Sequence, residues 1–165
     1  MSITSPPDVA LEIRGVSKHF PGVLALDQVD LTLHAGFIPE PSDPGRKAML
    51  DTLPKLDGQV ADPKSEVATQ QPPYAANATR SIKPEVLVVV GICTHLGCSP
   101  SNKFKPGNDE GMGADWLGGF LCPCHGSTFD FAGRVFKNKP APTNLVVPPH
   151  TYLSATRILI GEERK

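Results

Sequence analysis

All four cysteines of this chain fall in two short clusters, each with one histidine: Cys93-Thr-His95-Leu-Gly-Cys98 and Cys122-Pro-Cys124-His125-Gly-Ser127. Neither cluster alone offers a full ligand set, so a chain of this kind is constrained to bring two loops together. Soft thiolates mixed with imidazoles suit zinc or an iron-sulfur centre, since both accept sulfur and nitrogen in tetrahedral geometry. A disulfide framework is a further use of four cysteines, and spacing has to decide.

The 165 residues leave room for one modest domain, or for a small domain with a tail. Eighteen prolines and an aromatic content of 6% favour a loop-rich, strand-built protein over a helical bundle. A net charge of -1 without a dense Lys/Arg run excludes the basic footprint that nucleic acid requires. The apolar run Val86 to Cys93 is far shorter than the roughly 20 residues needed to cross a bilayer, so no membrane span is expected. The N-terminal residues show neither a basic segment followed by an apolar core nor a twin-arginine pair, so no export signal is expected.

Along the chain, Ala10 to Val16 and Val23 to Leu33 alternate apolar and polar residues about Pro21-Gly22, which predicts a β-hairpin. Residues 37 to 45 punctuate the chain with Pro and Asp. A short helix is expected at Arg46 to Leu53, and a surface loop over 54 to 83. The β-branched run Glu85 to Gly91 predicts a strand buried on both faces and leading into the first cluster. Further short strands are expected at Leu117 to Leu121, Ser127 to Phe131, Arg134 to Phe136, Leu145 to Val147 and Tyr152 to Ile160. Ser101 to Gly119 reads as a long loop anchored by Trp116. The fold class is therefore all-β: a small antiparallel β-sandwich with long loops and at most one short helix.

Spacing favours iron-sulfur over zinc. A C-x-H loop facing a C-x-x-H loop lets Cys93 and Cys122 hold one iron while His95 and His125 hold its neighbour in a 2Fe-2S cluster. A zinc ribbon more often shows two C-x-x-C knuckles and gives no reason for Gly97, Gly126 and Ser127 to flank the ligands. A zinc-stapled binding module stands as the alternative.

At these residues, and from about Ala48 onward, the chain resembles the Rieske iron-sulfur subunit of ubiquinol:cytochrome c reductase. The resemblance implies a β-sandwich of Rieske type at 85 to 165, with a cluster-binding subdomain at about 92 to 142. It implies a disulfide between Cys98 and Cys124, which dioxygenase-type relatives lack, and a covering loop that contains Pro140 and Pro142. His95 or His125 would accept a hydrogen bond from quinol and take its proton as the electron passes toward a c-type cytochrome. Leu96 would dock beside the quinone pocket of cytochrome b, at the periplasmic face of the inner membrane. Ser127 matches a serine whose hydroxyl points at a bridging sulfide, whereas Phe129 stands where many members carry a hydrogen-bonding tyrosine.

Residues 1 to 36 follow a different pattern. Leu11 to Gly36 resembles the opening strands of a sugar ABC transporter ATPase, yet no G-x-x-x-x-G-K-S/T follows, so ATP binding is not expected. A non-functional fragment of such an ATPase fused to a Rieske remnant is the third reading. Residues 37 to 84 are expected to form a linker and part of the base fold, with the hairpin filling missing base strands by β-pairing. His19, His34 and His150 lack a partner at ligand spacing and read as ordinary surface or strand histidines.

Overall fold

Glycine and proline interrupt the sequence so often that long β-ladders are excluded beyond the N-terminal hairpin, and the strands are correspondingly short. The computed structural model describes residues 9–20, 23–34, 49–155 and 157–161, and for 9–20, 23–34, 109 and 110 the backbone alone. Among these, seven strands pair antiparallel throughout. β1 (Val9–Phe20) pairs with β2 (Val23–His34); β3 (Ser101–Lys103), β4 (Gly119–Leu121) and β5 (Thr128–Phe129) form a three-stranded sheet; β6 (His150–Tyr152) pairs with β7 (Ile158–Ile160). The α-helix α1 (Leu53–Leu56) is accompanied by single 3-10 turns at Ala68–Gln70, Pro73–Ala75 and Gly107–Glu110. The all-β, antiparallel expectation is met.

The chain divides into two compact units, one of Pro39–Pro149 and one grouping Met1–Ile38 with His150–Lys165. In the second, Phe20 stands opposite Val23 and Val9 opposite His34, so the hairpin forms where the alternation placed it and extends further in both directions. β1 and β2 make a two-stranded sheet of their own. The segment Tyr152 to Ile160 is two strands, not one, because it folds back where Leu153 N–H donates to Arg157 O at 2.9 Å.

Several expectations for the larger unit need correction. Residues 85–91 form no strand: 85–90 are half-buried, and Val90 N–H donates to Val146 O (2.8 Å) without a continuing ladder. Leu145–Val147 is likewise no strand, since its N–H groups serve loops, Leu145 to Gly133 O (2.9 Å) and Val147 to Gln70 O (2.8 Å). The strand expected at Arg134–Phe136 reduces to two isolated bridges, Val135 to Phe129 and Phe136 to Val60. The helix begins late, at Leu53, with 49 and 50 also helical, and positions 46–48 lie outside the described residues. Residues 54–83 are no surface excursion either, because Leu56, Val60, Ala75 and Arg80 are each 1% exposed or less. The long loop expected from Ser101 to Gly119 contains β3, the 3-10 turn Gly107–Glu110 and the first residue of β4 but is otherwise irregular, and Trp116 does anchor it, donating from Nε1 to Lys103 O at 2.9 Å.

Two buried arginines hold this unit together. The Arg134 guanidinium donates to Asp130 Oδ2 (2.7 Å), Asp57 Oδ1 (2.8 Å), Pro63 O (3.0 Å) and Leu53 O (2.8 Å), joining α1 to the turn after β5. The Arg80 guanidinium reaches the carbonyls of Ala132 and Gly133 on one side and Gln70 O and Gln71 Oε1 on the other. Burial lowers the Arg80 pKa to about 10, opposed by Asp130 and Asp62, so it stays charged at neutral pH. Burial pushes the Asp130 carboxyl up, against the Arg134 guanidinium and the N–H groups of Arg134 and Ala132. A buried pair of this kind sets geometry more than it adds net stability, but losing one partner strands the other charge. Asp130→Ala is expected to cost about 3–5 kcal/mol, measurable as a lower midpoint in urea unfolding.

Candidate metal centre

The second cluster is the connection between β4 and β5. Leu121 pairs with Thr128, so residues 122–127 form the closing loop of a hairpin. The first cluster lies between the irregular segment 85–91 and β3. Both loops close by the same two backbone bonds. Cys93 N–H donates to Cys98 O (2.8 Å) and Gly97 N–H to Cys93 O (3.1 Å); Cys122 N–H donates to Ser127 O (2.7 Å) and Gly126 N–H to Cys122 O (3.0 Å). Gly97 and Gly126 occupy the same place in each loop, with φ of 87° and 75°. These left-handed conformations turn the chain back on itself, at a cost for any side chain with a Cβ. The two loops are thus a structural repeat that shares only its leading cysteine and its glycine.

Opposed loops converge their side chains. Cys93 and Cys122 are free thiols, 2% and 1% exposed, in one apolar cluster with Phe129, Val135, Ala141 and Leu145. Burial raises the Cys93 pKa; the His95 N–H and the Ser127 hydroxyl act to lower it, while the Cys122 thiol beside it raises it further. Two thiolates this close would repel each other in an apolar pocket, and a bound cation removes that penalty. His95 and His125 meet edge to face with ring centroids 4.8 Å apart. The Nδ1 atom of His95 is buried without a hydrogen-bond partner, an uncommon condition that a metal ion satisfies. Cys98 and Cys124 are disulfide-bonded across the two loops. A trio of sulfurs, Cys98, Cys122 and Cys124, lies within 4.8 Å of one another, but two of them are spent on that bond and make no ligand set.

Around these groups, Ser127 Oγ accepts from Ala141 N–H at 2.9 Å and donates toward the Cys93 sulfur. Ala141 is buried between the exposed Pro140 and Pro142, so the proline segment reaches the site through its backbone. Thr94 Oγ1 donates to Thr143 O at 2.7 Å, tying the first loop to the same segment. Thr94 and Ala141 carry no signature in the sequence, because one acts through a hydroxyl on a remote carbonyl and the other through its amide. Phe129 is fully buried against the thiols, and Leu96 is 71% exposed at the loop tip. His150 is a buried strand residue of β6, opposite Ile160.

Residues 58–150 match the Rieske [2Fe-2S] domain family. The chain belongs to this family. It is 63% identical over 116 residues to the "Ubiquinol-cytochrome c reductase iron-sulfur subunit" of Allochromatium vinosum, covering 70% of this chain and 55% of that protein. It is 44% identical over 104 residues to the protein of the same name in Blastochloris viridis, covering 63% and 47%. It is also 47% identical over 85 residues to "Cytochrome b-c1 complex subunit Rieske, mitochondrial" of Solanum tuberosum, covering 52% and 28%. The chain thus spans about half the length of the bacterial relatives and less of the plant one. The family's 2Fe-2S cluster fits the donor set described, with two buried thiols in one apolar cluster and, on the same loop as Cys93, a buried, unpartnered imidazole nitrogen.

The glycine at the second loop gives a direct test. A Cβ at Gly126 meets nothing within 4 Å, so substitution costs only backbone strain. Gly126→Ala is expected to lower stability by about 1–2 kcal/mol, and Gly126→Asn by less, since Asn tolerates the left-handed region. Thermal unfolding of the two variants side by side checks the order.

Proposed function

We propose that the chain carries single electrons from quinol to a c-type cytochrome through a 2Fe-2S cluster. Cys93 and Cys122 hold one iron, and His95 and His125 hold the other. The observation that carries this reading is that a pair of matching loops delivers two buried thiols to one apolar cluster and two imidazoles to edge-to-face contact. When bound, the cluster supplies reversible one-electron redox chemistry at a potential raised by its neutral histidine ligands.

The chain's own residues do the rest. His125 lies on the exposed part of its loop, and an imidazole there could take a hydrogen bond and then a proton from quinol through whichever ring nitrogen iron would leave free. Leu96 and Ile92, at 71% and 53% exposure, give the loop tip an apolar face suited to docking on cytochrome b. The Ser127 hydroxyl, held by Ala141 N–H, donates toward the sulfur side and stabilises the electron-rich state. The cluster-binding subdomain, at about 92–142, contains both loops and the proline segment. Among the described residues no helix is long and apolar enough to cross a membrane, and work at the periplasmic face is proposed from the resemblance carried by the two cysteine-histidine clusters.

Purified protein is expected to contain about two irons and two acid-labile sulfides per chain and to give a rhombic paramagnetic signal on reduction. Zinc alone, in a colourless and redox-silent protein, would overturn the reading. Phe129 packs on the thiols but has no donor. Phe129→Tyr is therefore expected to raise the potential and Ser127→Ala to lower it, both read by voltammetry.

A further inference from the structure

The sulfur of Cys122 lies within 4.8 Å of both sulfurs of the Cys98–Cys124 disulfide. Cys93, the second free thiol, does not belong to this trio. Exchange between a thiol and a disulfide requires an attacking sulfur within reach and a leaving thiolate that its surroundings stabilise. Both conditions are built into the loop pair. Cys124 is exposed and would be solvated as a thiolate, whereas Cys98 is only partly exposed and packs against the apolar cluster. Attack on Cys98 therefore expels the better leaving group. Attack on Cys124 would instead close a ring with only Pro123 between the two cysteines.

We propose that when no metal engages Cys122, its sulfur attacks Cys98 and the loops exchange their Cys98–Cys124 bond for a Cys98–Cys122 bond. Cys122 gives its proton to solvent and forms the new bond with Cys98. The old bond breaks, its electron pair leaves on Cys124, and Cys124 takes up a proton. No net oxidation or reduction occurs. The product holds a proposed iron ligand inside a disulfide and cannot take up the cluster, so cluster and exchange compete for one thiol. Loading protects the disulfide, and an emptied site locks itself until a small thiol, acting through a mixed disulfide and released again, returns the bond to Cys124. This inference rests on the proposed ligand role of Cys122.

The test uses the full chain, metal-loaded and after chelation under argon. Both samples are held over the minutes to hours that uncatalysed disulfide rearrangement takes, alkylated with N-ethylmaleimide, digested and read by tandem mass spectrometry. The loaded chain is expected to show Cys98–Cys124 and no label on Cys124. The stripped chain is expected to gain Cys98–Cys122 and label on Cys124, and to regain the original pairing when cluster is rebuilt in the presence of a catalytic amount of thiol. Cys93→Ser is expected to leave the exchange in place, and Cys122→Ser to abolish it. A stripped chain that keeps Cys98–Cys124, with label only on Cys93 and Cys122, overturns the proposal, as does random pairing that includes Cys93. Iron analysis before stripping keeps the two readings apart: a chain purified without iron contradicts the ligand assignment, while its pairing pattern still decides the exchange.

Discussion

The fold of Pro39–Pro149 depends on buried guanidinium groups that take the place of a β-ladder. Its strands are two or three residues long, so most backbone carbonyls have no neighbouring strand to serve. A buried carbonyl without a donor is costly. Arg80 and Arg134 supply fans of donors that gather the carbonyls of Leu53, Pro63, Gln70, Ala132 and Gly133 around two side chains. The helix and turns between 53 and 81 are thereby locked beneath the strands that lead to the cluster loops. Asp130 orients Arg134 and caps its own turn through Ala132 N–H and Arg134 N–H, both at 2.9 Å. Irregular backbone becomes a rigid platform by this route.

On that platform the loops need little instruction. Each is closed by two backbone bonds and a left-handed glycine, and each delivers its first cysteine inward. The histidines differ by one position, at the second residue after Cys93 and the third after Cys122, so equivalent backbones present unlike side chains. His95 turns Nδ1 inward while His125 remains exposed. The disulfide joins the residue five after Cys93 to the residue two after Cys122, places that do not correspond in the repeat.

The site was legible in the sequence because its chemistry sits in side chains at fixed short spacing. The cysteines and histidines meet in pairs, Cys93 with Cys122, His95 with His125 and Cys98 bonded to Cys124, with Ser127 beside Cys93, while their roles as ligands rest on the proposal; the hairpin at residues 9–34 follows from alternation and Pro21-Gly22. The base was far less legible. Glu85-Val-Leu-Val-Val-Val reads as a buried strand, yet β-branched composition reports a half-buried extended backbone as readily as a paired one. The polar stretch 54–83 reads as surface loop because Arg80 and Gln71 carry no pattern that announces their burial; their partners are carbonyls as many as 53 positions away. The loop repeat is not visible in the sequence for a similar reason, since conformation is shared where side chains are not.

Trp116 is the only tryptophan in the chain. It is 7% exposed, its ring lies 5.6 Å from that of Phe136, and it lines the same hollow as Gly126 and Thr128 of the second loop. Indole emission from this chain therefore originates at one place, beside the cluster loop. It gives the molecule a built-in optical gauge of that loop's seating, read without any attached dye.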